Sequence, residues 1–260
     1  MTDTGWRKWL LARPVAHRGL HDGNRTIVEN TIAAAEAAIA RRFAIECDVQ
    51  CTTDGQFVVF HDYDLERLTN GSGPLAARTA TDLRGLQFRN GSGHIPTLEE
   101  FLAIIDGRTP LVVEIKSDFA GNTRPVVRLS QIIAATNTQV ALKSFDPAIM
   151  AYLRQNQGVL GMNHVPLGMV AEAGYDHPEW EKLSAPVRTS LTHFLQWEKT
   201  RPDFLSWNIA DLPHATPNLL RKALDVPVMT WTVRTQAQRV TAMQWADQIV
   251  FEETDKLRVE

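Results

Sequence analysis

Residues 44–52 read AIECDVQCT, a short apolar stretch holding two carboxylates, Glu46 and Asp48, two positions apart. On a β-strand, residues two apart share a face, so both carboxylates point one way and Cys47 points the other. Residues 111–116, LVVEIK, repeat the design with Glu114 and Lys116. Charges facing inward on apolar strands are costly unless they are paired or bound to an ion. These two strands therefore carry both the fold and the chemistry.

Working outward, residues 13–19 (RPVAHRG) read as a first strand and turn. Residues 29–43 follow as an alanine-rich helix that Asn30 or Thr31 can cap. Residues 55–62 (GQFVVFHD) are an extended apolar run, too close behind the second strand for a helix between them. Residues 96–105 (PTLEEFLAII) predict a helix with Pro96 near its first position and Thr97 available as cap. A helix around 125–135, a strand at 139–145 and a helix opened by Asp146-Pro147 come next. Further strands are expected at 167–171, 204–209, 226–233 and 248–251, with helices between them, one at 235–245. Such alternation implies βαβ units and a parallel sheet. About eight core strands in 260 residues favour an α/β fold of TIM type, a (β/α)8 barrel, over an open sheet. No Gly-x-Gly-x-x-Gly follows the first strand, which removes the main sign of a dinucleotide fold. Residues 53–95 break the rhythm with Thr-Asp-Gly, Asn-Gly-Ser-Gly-Pro and Asn-Gly-Ser-Gly turn signals. They read as a small insertion after the second strand, inside one catalytic barrel domain covering 1–260.

Composition narrows the partners. The chain is 44% hydrophobic and 22% charged, an ordinary globular balance. With 27 basic and 30 acidic residues, net charge −3 and no long basic run, neither nucleic acid nor an anionic membrane is an expected partner. No apolar run approaches the roughly 20 residues of a membrane span. Residues 6–12 (WRKWLLA) are too short and broken for the apolar region of a signal peptide, which points to the cytoplasm. Trp6 and Trp9, at helical spacing, are expected to pack under the barrel. Cys47 and Cys51 would lie roughly 13 Å apart on one strand, beyond the ~7 Å limit for a disulfide, and are expected as free thiols.

Set against Lys116 alone, Glu46, Asp48 and Glu114 leave a surplus of negative charge. A divalent cation would balance it; the competing reading is a buried salt-bridge network. Oxygen ligands without a histidine cluster suit Mg²⁺ or Ca²⁺ better than zinc. His17-Arg18-Gly19 ends the first strand and His61-Asp62 ends the extended run, and strand C-termini are where barrels build active sites. Two imidazoles can exchange protons near neutral pH, while Arg18, Lys116 and a metal can hold a phosphate.

The chain resembles the glycerophosphodiester phosphodiesterases. The matching pieces include His17-Arg18-Gly19, Glu29-Asn30-Thr31, Glu46-x-Asp48-Val49, Thr53-Asp54-Gly55 and Val58-Val59-Phe60-His61-Asp62. Others are Leu65-x-Arg67-Leu68-Thr69, Ile95-Pro96-Thr97-Leu98-Glu99-Glu100, Glu114-x-Lys116, Ser144-Phe145-Asp146 and Trp231-Thr232-Val233. The resemblance implies a metal-dependent hydrolase of lipid and glycerol metabolism, releasing glycerol 3-phosphate and an alcohol from a small-molecule glycerophosphodiester. It implies Glu46, Asp48 and Glu114 as metal ligands, His17 and His61 as proton carriers, Arg18 and Lys116 on phosphate, and Trp231 on the pocket wall. Lysophospholipase D-type cleavage and non-catalytic phosphodiester binding are the alternatives. The chain departs from the family at Val28, where proline is usual, at Glu252-Glu253, where Thr-Asp is usual, and over residues 158–202.

Overall fold

A computed structural model describes residues 5–259. Its strands are β1 (Val15–Ala16), β2 (Ala44–Cys51), β3 (Phe57–Val59), β4 (Leu111–Ile115), β5 (Val140–Ser144), β6 (Leu167–Ala171), β7 (Phe204–Asn208), β8 (Val228–Val233) and β9 (Gln248–Phe251). Eight of them run parallel in the order β2-β4-β5-β6-β7-β8-β9-β1, and β1 pairs back onto β2 to close a barrel. The ninth, β3, is antiparallel to β2, with Val49 opposite Val59. The helices are α1 (Trp6–Leu10), α2 (Ile32–Ala40), α3 (Ala80–Arg84), α4 (Leu98–Ile105), α5 (Arg124–Ala134), α6 (Pro147–Asn156), α7 (Ala185–Thr192), α8 (Trp197–Thr200), α9 (Ala215–Ala223) and α10 (Gln236–Trp245). The chain forms the TIM-type (β/α)8 barrel that its alternation predicts.

Local chemistry explains the boundaries. The first strand is only two residues long, because Arg18 and Gly19 turn into left-handed backbone at φ 55° and 78°. A side chain on Gly19 would meet Ala34 Cβ at 2.7 Å, so glycine lets this turn press against α2. Thr31, not Asn30, caps α2, its hydroxyl accepting from the Ala34 amide. Pro96 stands just before the cap Thr97 rather than in the first turn of α4, and Thr97 and Glu100 form a reciprocal capping box.

Outward-facing residues such as Ile45, Cys47, Val113 and Leu142 pack against Ala35, Phe101, Leu129 and Ile133 of the helices. Each buried Val, Leu, Ile or Phe among them contributes roughly 1.5–3 kcal/mol. Inside the barrel, Val15, Ala44, Val112, Ala141, Phe204, Met229 and Val250 form an apolar layer near the strand N-termini, joined by Leu10 and covered by Trp6 and Trp9 of α1. The tryptophans thus pack under the barrel, as their spacing predicts. Gly168 is required here: a Cβ on it would lie 2.3 Å from the Phe204 ring. Residues 53–95 carry β3 and α3 on a second apolar cluster, with Leu65, Leu75 and Leu83 at its centre. Cys47 and Cys51 are free thiols.

Candidate active site

The apolar layer gives way to charge one step up the same strands. Glu46 and Asp48 of β2, Glu114 of β4 and Lys143 of β5 are all buried. Lys143 Nζ lies 3.0 Å from Glu46 Oε1 and 2.9 Å from Glu114 Oε2. Lys116 Nζ lies 3.3 Å from Glu114 Oε1 and 3.8 Å from Asp48 Oδ1. Arg18 Nε is 3.3 Å from the other Asp48 oxygen. Sequence reasoning set three carboxylates against one lysine; Lys143 corrects that charge count, and the surplus it predicted is largely neutralised. The missed signal was a lone lysine in QVALKSF, subject to the same cost of burial as Glu114.

These contacts fix the protonation states. Burial pushes Asp48 upward, but the facing His61, Arg18 and Lys116 outweigh it and hold the carboxyl well below its ordinary range. Burial likewise opposes ionisation of Glu114, and Lys143 and Lys116 bring it down to about 2. Lys143 is raised above the usual lysine value, since Glu46 and Glu114 overcome the desolvation of its ammonium.

His17 follows β1 and His61 follows β3, and each is backed in the same way. His17 Nδ1 donates to Glu252 Oε1 at 2.6 Å, and Arg234 grips Glu252 with two bonds, at 2.7 and 2.8 Å. His61 Nδ1 donates to Asp62 Oδ1 at 2.7 Å, and Arg67 grips Asp62 at 2.5 and 2.9 Å. An ionised carboxylate only accepts, so each ring carries its proton on Nδ1 when neutral and leaves Nε2 to take one. Burial raises Glu252 and Asp62, but the histidine and arginine on each overcome this and lower both below the ordinary carboxylate range. Glu252, a departure from the family at sequence level, is therefore the partner that orients His17.

Behind this front row, Glu29 accepts from Arg18 Nη1 and Arg67 Nη2, both at 2.6 Å, bridging the residue that follows His17 to the arginine that grips Asp62. Asn30 turns at φ 57°, and its side chain donates through Nδ2 to Asp48 Oδ2 at 3.0 Å while its Oδ1 accepts from the Asp48 backbone amide at 3.2 Å. Left-handed backbone at non-glycine residues costs on the order of 1 kcal/mol, and Arg18 and Asn30 both adopt it here.

His17, His61, Arg18, Lys116, Asp48, Glu114 and Trp231, expected at the site from sequence, all line one cavity of about 390 Å³; Glu46 lies fully buried beneath it. Trp231 meets Phe145 edge-on at 5.6 Å, and Phe145 in turn meets Trp180 at 4.9 Å. Residues 158–202 thus supply part of the wall. Glu172 at the end of β6 anchors that wall, accepting from Trp180 Nε1, His177 and Asn208.

The donor set suits a hard divalent ion. One oxygen from each of Glu46, Asp48 and Glu114 can be chosen so that all lie within 4.8 Å of one another, although Glu46 Oε1 already faces the Lys143 ammonium at 3.0 Å. Among the described residues this is the one group of three such ligands, and no helix is long and apolar enough to cross a membrane.

An eight-stranded parallel barrel with acids, bases and cations gathered at one mouth has the architecture of a TIM-barrel enzyme. Among solved structures, the chain is similar to a phosphodiesterase from Oleispira antarctica in complex with the product sn-glycerol-3-phosphate, at TM-score 0.71 and 20% identity over 92% of this chain and 91% of that one. It is also similar to the glycerophosphodiester phosphodiesterase of Thermotoga maritima, at TM-score 0.66 and 21% identity over 92% of this chain and 94% of that one. Both likenesses show the same fold. The sequence profile of the glycerophosphoryl diester phosphodiesterase family matches residues 17–253, and the chain belongs to that family. The glycerophosphodiester phosphodiesterase of Caldanaerobacter subterraneus subsp. tengcongensis is 39% identical over 111 residues, which are 40% of this chain and 44% of that protein. Glycerophosphodiester phosphodiesterase 1 of Bos taurus is 26% identical over 240 residues, 85% of this chain and 71% of the bovine one.

Proposed function

We propose that the chain hydrolyses glycerophosphodiesters to glycerol 3-phosphate and an alcohol, using His17 and His61 as the proton carriers. The observation that carries this reading is the pair of histidines, each held by its own carboxylate–arginine couple. Binding a phosphodiester needs only cations; two oriented imidazoles are what proton transfer needs. In this reading residues 53–95 are an inserted subdomain of a single catalytic domain, and their work is to deliver His61 and Arg67. The glycerol phosphate bound by the Oleispira antarctica neighbour is the product proposed here.

Arg18 and Lys116 line the cavity and would hold the phosphoryl oxygens, with Trp231 and Phe145 walling the substrate. The substrate's glycerol carries a hydroxyl beside its ester oxygen, and an internal nucleophile of this kind has an effective concentration of up to ~10⁵–10⁸ M. One histidine takes that proton at Nε2 as the oxygen bonds to phosphorus. The bond to the alcohol breaks, and the other histidine gives the leaving oxygen its proton. The histidines then exchange roles: water adds to phosphorus, the newly made ester bond opens, and glycerol 3-phosphate leaves. A divalent ion held by Glu46, Asp48 and Glu114, Mg²⁺ or Ca²⁺, would draw charge off the phosphoryl oxygens.

The test is direct. Purified protein given glycerophosphocholine or glycerophosphoethanolamine with Mg²⁺ or Ca²⁺ is expected to release glycerol 3-phosphate, and no release with any head group or metal overturns the reading. A diester with the neighbouring hydroxyl methylated is expected to bind but remain nearly inert. Cleavage at the natural rate would make water the nucleophile from the start.

A further inference from the structure

We infer that Lys143 is a resident cation of the carboxylate cluster and weakens the cluster's hold on a divalent ion. The inference rests on the reading of Glu46, Asp48 and Glu114 as the ion's ligands. Lys143 reaches the cluster by strand geometry: it shares the inner face of β5 with Ala141 and is the register partner of Glu114 across the β4–β5 pair. Its side chain is 2% exposed, so almost no water screens its charge.

The contacts set up a competition. The ammonium sits 3.0 Å from Glu46 Oε1 and 2.9 Å from Glu114 Oε2, reaching two of the three proposed ligands at once. An ion bound to oxygens of those same carboxylates at about 2.0–2.6 Å would be within a few ångströms of the ammonium unless Lys143 moved aside. Two cations that close repel strongly in a poorly screened interior. The net charge adds to the effect. Lys143 pairs with Glu46 and Glu114, Lys116 with Glu114 and Asp48, and Arg18 with Asp48, so the three carboxylates face three cations. A dication entering this centre displaces or opposes charge already supplied by the chain.

The experiment measures ion binding, not turnover. The full chain is stripped of metal, and Mn²⁺, Mg²⁺ and Ca²⁺ are titrated by calorimetry into the parent, Lys143→Met and Lys143→Gln. Each cation's shift of the melting temperature is recorded alongside. Both variants are expected to bind at least about tenfold tighter than the parent and to gain more in melting temperature per millimolar ion. Methionine keeps the stem without the charge and glutamine keeps a polar tip, so a folding defect peculiar to one leaves the other informative. Lys143→Arg is expected to remain as weak a binder as the parent. Equal or weaker binding by both neutral variants overturns the inference, as does binding of no ion by either. If the neutral variants bind tighter yet no protein releases glycerol 3-phosphate, the resident cation stands and the proposed hydrolysis falls.

Discussion

The two mouths of the barrel are made by the same strands and close in opposite ways. On the inner face, Ala44 is followed by Glu46, Val112 by Glu114 and Ala141 by Lys143. The lower member of each pair belongs to an apolar layer sealed by Trp6 and Trp9, and the upper member to a buried ion network. Two residues along a strand span roughly 7 Å, and over that step the interior changes from hydrocarbon to salt. Apolar packing stabilises at little risk, whereas buried ion pairs roughly break even against the desolvation of their charges. The lower mouth therefore carries stability, and the upper mouth carries charges that stability alone does not call for.

This division can be broken by mutation. The largest expected effect is at the upper mouth: His17→Ala or His61→Ala should lower turnover by ~10²–10⁴-fold while moving the melting temperature little. A large drop in melting temperature without loss of turnover would make the histidines structural. The converse substitution, Phe204→Ala, empties the lower layer and should cost about 3–5 kcal/mol in chemical denaturation, with kcat nearly unchanged. If its kcat collapses as well, the two mouths are not separable. Smaller again is Glu114→Gln, which leaves two lysines short of a partner and should cost about 1.5–3 kcal/mol in metal-free protein. A variant that melts higher than its parent would show that carboxylate repulsion dominates the cluster.

Acid sharpens the contrast most gently. Glu29 bridges Arg18 and Arg67; burial raises its carboxyl, yet Arg67, Arg18 and Asn24 bring it from 4.5 down to about 2. A carboxyl lowered on folding adds stability that is complete well above pH 4.5, begins to fall as the pH nears 4.5 and is lost as it drops toward 2. Between pH 6 and pH 4 its share of the loss is roughly 1 kcal/mol. Glu29→Gln should therefore show a shallower fall in stability over that range than the parent, and identical slopes would remove Glu29 from the account.

Much of this arrangement was legible in the chain because period-two spacing and strand ends are local properties. Glu46 with Asp48 and Glu114 with Lys116 announce an inward face, and His17 and His61 announce strand ends. Lys143 carried the same signal singly, without a second charge two residues away to declare its side. Partnerships across the barrel left no local mark. Nothing near His17 names Glu252 as its hydrogen-bond partner, and Glu252 itself reads only as an odd residue where Thr-Asp is usual. Asn30 reads as a helix cap because its spacing fits one; the left-handed turn that swings it onto Asp48 is a tertiary effect.

The hydrogen bond from His17 to Glu252 joins residues 235 positions apart. A ribosome therefore finishes β2 and β4, with Glu46, Asp48 and Glu114, long before it supplies the group that aims His17. A nascent chain, or one cut short before β9, has its carboxylates in hand but a histidine with nothing to orient it. If His17 carries protons as proposed, the last strand to be made is the one that completes its setting.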